Sequence, residues 1–290
     1  MTQDLYESGD DESPSQRRRY RYDAAVDPEA GRLEGLRGRL RSQGRDHARQ
    51  LDAFYDQGAI AEVLYLVRTG KEASVYCCRA GRQLEGVPGR DGLVAAKVYR
   101  ARQFRFKDDA IYQEERTRGM RGRPRRALAK KTSFGRDVQA GSWVEHEFET
   151  MQELYAAGCD VPRPLLAAAD AVLMEYVGDE GGPAPQLNRV QLDPESAEVE
   201  FRRVMSNVET VLACNRVHGD LSAHNILYWE GRCLLIDFPQ AVDPRFNGQA
   251  ERLLHRDVEN VCRYFNQYGL GADPRQLAAD LWRRWAFGDL

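Results

Sequence analysis

Runs of apolar residues in the first two thirds of the chain have the length and the flanking turns of β-strands. One of them is apolar throughout except for Lys97, which predicts a central strand that carries a charge. The other runs are bounded by glycine, proline or charged residues. The strands predicted in this way cover residues 61–68, 75–78, 93–99, 164–169 and 171–176.

Apolar residues three or four positions apart predict helices between and after these strands. One such stripe runs through residues 142–155, where Ser142 can cap the first turn. Its members are Val144, Phe148, Met151 and Tyr155. Further helices are predicted at residues 45–55, 194–216, about 253–265 and about 277–285.

The segments outside these elements are strongly charged. Residues 1–45 are polar and lack apolar periodicity, which predicts a mobile tail. Residues 116–136 contain nine Lys/Arg and no acidic residue, and they predict a flexible basic loop. This loop is either a solvated linker or a contact surface for RNA or an acidic protein, and the sequence favours neither interpretation.

Composition narrows the class of protein. A length of 290 residues, 42% hydrophobic, suits one two-lobed domain or two small ones, and a net charge of −3 indicates no general polyanion binder. The six cysteines include no C-x-x-C pair, so we expect a reducing cytoplasm and neither a zinc site nor a disulfide framework. The N-terminus lacks an apolar signal segment, and no apolar run has the length of a membrane span. We therefore expect a soluble, cytoplasmic protein without membrane contact.

The strongest chemical pattern is an H-G-D-x-x-x-x-N stretch followed by a second aspartate. It places Asp220 and Asn225 five positions apart, and Asp237 follows after two short strands joined by a turn at Glu230-Gly231. Kinase catalytic loops have this Asp-to-Asn spacing and are followed by a metal-binding Asp. Asp220 can supply the carboxylate that is needed near the attacking hydroxyl. Asn225 and Asp237 offer the hard oxygen ligands that a divalent metal prefers. The alternative is a turn rich in Asp and Asn that has only a structural role, such as capping.

The charge in the central strand requires an anion close by, because a buried unpaired lysine is costly. The V-A-x-K sequence that ends at Lys97 is close to the V-A-I-K strand whose lysine binds the α- and β-phosphates of ATP. Its ion-pair partner is expected on the helix predicted at 142–155. Glu147 lies on the inward stripe of that helix, whereas Glu145 and Glu149 are expected to face solvent.

Two further segments are candidate nucleotide contacts. The turn at 69–74 lets backbone N–H groups approach phosphates, although a turn with one glycine is by itself more often an ordinary hairpin. The segment 174–178 lies where a two-lobed kinase has its hinge, with a plain strand end as the alternative. Pro239 follows Asp237 closely, fixes φ and removes an N–H. We therefore expect a fixed loop at this point and not an activation switch.

These pieces together resemble the RIO-type atypical serine/threonine protein kinases, in a bacterial-type form without an N-terminal winged helix. The resemblance covers about residues 60–270 and departs from the common family pattern at Ala223-His224 and Phe238-Pro239. The short stretch after Asp237 agrees with the reduced C-lobe of the family. The motifs that carry the resemblance are at 69–73, 96–99, 143–148, 174–178, 183–187, 218–222, 236–242 and 256–261.

The resemblance implies a two-lobed, protein-kinase-like α+β fold, with an antiparallel N-lobe sheet plus one helix and a reduced, mostly helical C-lobe. The expected boundaries are an N-lobe at about 46–175, a hinge at about 175–185 and a C-lobe at about 186–290. Asp220 would be the catalytic aspartate, and Asn225 and Asp237 would be the magnesium ligands. Lys97 would be the lysine that binds the phosphates, with Glu147 as its ion-pair partner. Asp237 would also be a transient phosphoryl acceptor. The ATP contacts implied are Lys71, Ser74, Val75, Lys97, Met174, Glu175 and Val177.

The expected function is Mg-ATP-dependent phosphoryl transfer to protein serine, autophosphorylation included, or ATP hydrolysis, with Mn²⁺ as a substitute metal and small ribosomal subunit maturation as a setting. A small-molecule phosphotransferase is one alternative. It would need an acceptor pocket built from further C-terminal helices, and the sequence predicts only two. A nucleotide-gated assembly factor that binds ribosomal RNA or a ribosomal particle through the basic loop is another.

Overall fold

The computed structural model describes residues 51–84, 92–99, 133–168 and 170–290, with the backbone alone for 133–142. The predicted tail at 1–45 and most of the basic loop at 116–136 lie outside the described residues. The predicted end of the basic loop at residue 136 is wrong, because residues 133–136 form the first turn of a helix. Residues 51–56 are helical, in agreement with the helix predicted before the first strand.

The N-terminal lobe is built on one five-stranded antiparallel sheet in the order β1-β2-β3-β5-β4. β3 lies in the centre and every residue in it is buried, as its apolar sequence predicted. β1 and β2 form a hairpin at one edge, and β4 and β5 form the other hairpin. The strands are β1 Ile60–Thr69, β2 Ala73–Ala80, β3 Leu93–Tyr99, β4 Pro164–Ala168 and β5 Ala171–Glu175.

Helix α1, Ser133–Ala156, packs against this sheet and is longer than predicted. Ser142 lies in its interior, so the predicted cap is wrong. The start was placed at the first apolar repeat, but the helical backbone begins nine residues earlier. Tyr155 is also wrongly placed on the inward stripe, because its side chain is 43% exposed while Leu154 is fully buried. The stripe advances by three residues from Met151 and not by four, as a 3.6-residue period allows.

The C-terminal lobe is mostly helical. Asp193 caps the first of its helices by accepting a hydrogen bond from the Ser196 N–H at 2.8 Å, and Asp273 caps the last in the same way. A two-stranded hairpin, β8 and β9, packs against α2. The elements are β6 Gly178–Asp179, β7 Gly182–Pro183, α2 Pro194–Ala213, β8 Ile226–Trp229, β9 Arg232–Leu235, α3 Ala250–Asn266 and α4 Pro274–Phe287.

The largest hydrophobic core fills the C-terminal lobe, and smaller cores lie on the two faces of the sheet. Met174, near the end of β5, packs against the C-terminal core as well as the sheet, so it marks the junction of the lobes. This arrangement confirms the predicted two-lobed α+β fold. In the part of the chain that is described, no helix has the length and apolar character required to cross a membrane.

Candidate active site

Lys97 is the centre of the candidate site. It projects from β3 with 8% of its surface exposed, and its Nζ lies 2.7 Å from Glu147 Oε1 and 2.5 Å from Asp237 Oδ1. Glu147 comes from helix α1 in the N-terminal lobe, and Asp237 follows β9 in the C-terminal lobe. One ammonium group therefore joins the sheet, the helix and the opposite lobe. Glu145 and Glu149 are exposed and take no part in this contact.

The three charges stabilise one another against the cost of burial. Burial acts to lower the pKa of Lys97, but Asp237 and Glu147 outweigh it and raise that pKa, so the lysine stays charged. Burial raises the pKa of Glu147, opposed by Lys97. Burial also acts to raise the pKa of Asp237, yet the Lys97 ammonium outweighs it and lowers that pKa. Asp237 therefore stays ionised, and its side chain is 44% exposed.

The loop that follows Asp237 is anchored to helix α1. Glu147 Oε1 accepts a hydrogen bond from the Phe238 N–H at 3.1 Å, and His146 Nε2 lies 2.8 Å from the Ala241 carbonyl oxygen. The Phe238 side chain is fully buried in the C-terminal core. Asp237 itself has φ of +74°, a left-handed conformation that Asp tolerates better than most residues do. The backbone turn therefore presents the Asp237 carboxylate to Lys97.

Asp220 and Asn225 lie together on the loop of residues 218–225 before β8, the candidate catalytic loop. The Asn225 Nδ2 group donates to the Asp220 backbone oxygen at 2.9 Å and to its Oδ2 at 3.3 Å. The Ile236 N–H donates to the Asn225 carbonyl at 3.0 Å, so the β8–β9 hairpin brings Asn225 beside the residue that precedes Asp237. Desolvation raises the pKa of Asp220, with Arg256 opposing and Asp237 adding to that shift. A carboxylate with a raised pKa suits proton acceptance.

Asp257 supports this loop and had no role assigned from sequence. It is 1% exposed, and its two carboxylate oxygens accept hydrogen bonds from the Gly219 N–H at 2.7 Å and the Leu221 N–H at 2.9 Å. Burial raises the pKa of Asp257 to about 7, although these N–H donors oppose the shift. The two bonds hold the backbone on either side of Asp220. The sequence feature that could have revealed this role is that Asp257 is a charged residue on the apolar stripe of α3, beside Val258.

His218 fills the space beneath the catalytic loop. It is 3% exposed, its Nε2 lies 3.1 Å from the Ile236 carbonyl oxygen, and its Nδ1 accepts a hydrogen bond from the Asp220 N–H at 3.4 Å. Its ring centroid is 4.7 Å from that of Phe238. The imidazole therefore connects the segments that carry Asp220 and Asp237.

The β1–β2 turn, residues 70–72, is the part of the N-terminal lobe nearest in sequence to Ser74 and Val75. The Gly70 N–H donates to the Ala73 carbonyl at 2.8 Å, and the hydroxyls of Thr69 and Ser74 are 3.4 Å apart. Ser74 is buried, Val75 pairs with Lys97 across β2 and β3, and the Lys71 side chain is exposed. Desolvation raises the pKa of Glu72 in this turn to about 7, with Asp237 adding to the shift. The turn therefore faces the carboxylates of the catalytic loop.

The segment after β5 connects the lobes. Glu175 Oε2 accepts a hydrogen bond from the Arg163 N–H at 3.1 Å, and the Val177 carbonyl accepts one from the Ala184 N–H at 2.9 Å. The hydroxyls of Tyr176 and Tyr65 lie 2.6 Å apart, which joins the segment to β1. Among the described residues, nothing accepts the Val177 N–H. That donor matches the backbone contact to adenine expected from sequence, which stays a prediction.

The oxygen donors fit a magnesium ion. Because the Asn225 Nδ2 group is directed at Asp220, its Oδ1 atom is the acceptor left for a cation. Asp237 supplies an ionised carboxylate close by. No group of three or more His, Cys, Asp or Glu residues suited to a metal occurs within the described ranges. Magnesium commonly takes only one or two protein oxygens and completes its shell with phosphates and water, so two donors suffice.

Comparison with known proteins identifies the family. The RIO domain family model matches residues 74–277, which is most of the chain. This chain belongs to the RIO domain family. The RIO match includes β3 with Lys97, helix α1 with Glu147, and the catalytic loop. The predicted family is therefore confirmed.

Relatives of this RIO chain carry the names of protein kinases. The RIO-type serine/threonine-protein kinase Rio1 of Haloferax volcanii is 29% identical over 82% of this chain and 79% of that protein. Rio1 of Methanocaldococcus jannaschii is 31% identical over 75% of this chain and 68% of that protein. The serine/threonine-protein kinase rio1 of Schizosaccharomyces pombe is 29% identical, and the chain spans 40% of its length. The prediction of an enzyme of the RIO-type serine/threonine kinase class is confirmed.

A solved structure supports the fold of this RIO chain. The Rio2 kinase from Chaetomium thermophilum, solved as an ADP/Mg²⁺-phosphoaspartate complex, aligns with a TM-score of 0.57 at 19% identity. The alignment covers 79% of this chain and 64% of that one. At this identity the similarity shows a shared fold, and the roles of individual residues rest on the geometry described above.

Proposed function

We propose that this RIO kinase transfers the γ-phosphoryl group of Mg-ATP to protein serine, its own serines included, and also to water. The observation that carries the proposal is the pair of short contacts from Lys97 to Glu147 and Asp237. A buried lysine held by two carboxylates of opposite lobes provides a fixed cation beside a metal-binding carboxylate. Phosphoryl transfer depends mainly on such fixed charges and on positioning.

In this proposal Lys97 binds the α- and β-phosphates while Glu147 holds its ammonium group in place. Asn225 and Asp237 would hold magnesium, which would supply positive charge beside the phosphates. Asp220 accepts the proton of the attacking hydroxyl, and Asn225 orients its carboxylate through the contact at 3.3 Å. The ATP contacts of the N-terminal lobe are Lys71, Ser74 and Val75 in the β1–β2 hairpin. Those at the junction of the lobes are Met174, Glu175 and Val177.

Asp237 is also proposed as a transient phosphoryl acceptor. A carboxylate oxygen of Asp237 would attack the γ-phosphorus, the bond to the β-phosphate oxygen would break, ADP would leave, and water would later hydrolyse the acyl phosphate. The 44% exposure of the Asp237 side chain is compatible with this attack. The Chaetomium Rio2 complex holds a phosphoaspartate, which supports the proposal by similarity of fold.

The setting of the reaction is a further part of the proposal. A cytoplasmic location is inferred from the six cysteines, because none of them forms a disulfide. A contact of the basic loop with ribosomal RNA or a ribosomal particle is inferred from its nine Lys/Arg between residues 116 and 136.

Transfer of radiolabel from [γ-³²P]ATP tests the proposed function. With magnesium, or manganese as a substitute, the full chain should release ADP and gain acid-stable label on serine. A second, hydroxylamine-labile label should appear in the wild type and be absent from Asp237→Ala. A matched control, Glu230→Ala in the β8–β9 turn, should retain both labels. A wild-type chain that forms neither label nor ADP with either metal would contradict the proposal, and label found only on a small metabolite would favour a small-molecule phosphotransferase.

A further inference from the structure

An arginine at the end of β1 lies in the same row of the sheet as Lys97. Arg68 pairs with Val75 on β2, and Val75 pairs with Lys97 on β3. Residues directly opposite one another in an antiparallel ladder project from the same face. Neighbouring strands are about 4.8 Å apart, so the Arg68 and Lys97 backbones are separated by about 10 Å. Both side chains are long enough to reach one phosphate chain held between them.

The ladder is irregular at this point, which gives Arg68 its direction. The register shifts between Leu66 and Arg68, so Val67 is an extra residue opposite the β2 strand. Such a bulge turns neighbouring side chains toward one face and increases the local twist. Val67, Val75 and Met174 all pack against one small apolar cluster of the sheet. Arg68 follows Val67 directly and precedes the closed turn at Gly70.

The surrounding charges favour an anion beside Arg68. Arg68 is in the same row of the sheet as Lys97, whose ammonium group contacts the Asp237 carboxylate. Arg68 is exposed, and among the described residues no hydrogen bond or ion pair engages it. Lys97, by contrast, is already held by two carboxylates. Arg68 is therefore the cation of this row that has binding capacity left for a ligand.

We propose that Arg68 binds the terminal phosphoryl group of the nucleotide and distinguishes ATP from ADP. The inference rests on the proposed function. Lys97 is buried and held by Asp237, which suits the inner phosphates, whereas the exposed Arg68 lies near the end of β1 beside the β1–β2 turn, which suits the outer one. A guanidinium forms two parallel hydrogen bonds to a phosphate, which a lysine ammonium cannot reproduce.

Nucleotide affinity of the full chain tests the inference. The dissociation constants of the β,γ-imido analogue of ATP and of ADP, each with magnesium, are measured by calorimetry for the wild type, Arg68→Ala and Arg68→Lys. We expect Arg68→Ala to weaken the ATP analogue about tenfold or more and to change ADP less than about threefold, because one charge-assisted contact is lost. Arg68→Lys should recover part of the loss. Arg79→Ala removes an exposed arginine from β2 of the same sheet and should change neither constant.

The outcomes separate this inference from the proposed function. A wild-type chain that binds neither nucleotide contradicts the proposed function and the inference with it. A wild-type chain that binds both, with Arg68→Ala unchanged, contradicts the inference alone and makes Arg68 a solvated side chain. Equal weakening of ATP analogue and ADP also contradicts it, because the contact would then be to a phosphate that both nucleotides share. Melting temperatures of the variants check that each is folded.

Discussion

The buried His218 predicts a specific loss of stability in acid. It has 3% of its surface exposed and is held between the Ile236 carbonyl and the Asp220 N–H. In this arrangement Nε2–H donates and Nδ1 accepts, so the imidazole is neutral and has no room for a second proton. Burial lowers the pKa of His218 from 6.5 to about 4, although the Ile236 carbonyl opposes the shift.

The sign and size of the effect follow from that shift. In the unfolded chain His218 takes up a proton as the pH falls below about 6.5, while the native residue stays neutral until about 4. The unfolded state therefore binds more protons in this window, and the free energy of unfolding falls as the pH is lowered. The loss from this residue is about 3 kcal/mol between pH 6.5 and 4, and none of it occurs above pH 7.

Urea unfolding at several pH values between 7.5 and about 4.5 measures this loss of unfolding free energy. The His218→Phe variant removes the titrating ring and keeps an aromatic group against Phe238. We expect it to be less stable than the wild type at neutral pH, because the Asp220 N–H loses its acceptor, but to lose less stability in acid. His255→Gln, on α3, is the matched control and should follow the wild type. Equal acid slopes in the wild type and His218→Phe would refute the reasoning.

Two further predictions concern residues that support the catalytic groups. Glu147→Gln removes one of the two carboxylates that neutralise the buried Lys97. We expect a loss of about 3 kcal/mol in unfolding free energy and at least a tenfold drop in kcat/KM. Glu149→Gln on the exposed face should change neither, and an unchanged kcat/KM in Glu147→Gln would contradict the assigned contact. Asp257→Ala removes the acceptor of two buried N–H groups, and we expect it to cost about 2–5 kcal/mol in urea unfolding and to lower kcat more than it raises KM. Glu259→Ala on the exposed face of α3 is its control, and equal effects of the two variants would contradict the positioning role.

The sheet and the side chains that meet in the candidate site were predictable because their sequence patterns are local. A lysine inside an apolar run identifies β3, and the spacing from Asp220 to Asn225 places both on one loop. Glu147 was separable from Glu145 and Glu149 by helical periodicity alone, because one face of a helix must meet the core. Each of these inferences needs only a helix or strand period or a short motif.

Features that depend on distant contacts were not predictable in the same way. The start of α1 was misplaced because Ser142 resembles a cap, whereas the backbone before it is already helical. The role of Asp257 depends on two backbone N–H groups that lie 36 and 38 residues earlier in the chain. The direction of Arg68 depends on a bulge in the strand ladder. None of these pairings has a period in the sequence.

The most direct test of the account is a comparison of turnover and binding in Asp220→Ala. ATP turnover with magnesium and the dissociation constant for Mg-ATP are measured on the same preparations of variant and wild type. We predict that turnover falls by at least about a hundredfold, because the acceptor of the hydroxyl proton is lost, while the dissociation constant changes less than about threefold. Unchanged turnover in Asp220→Ala would contradict the assignment of this loop as the catalytic centre.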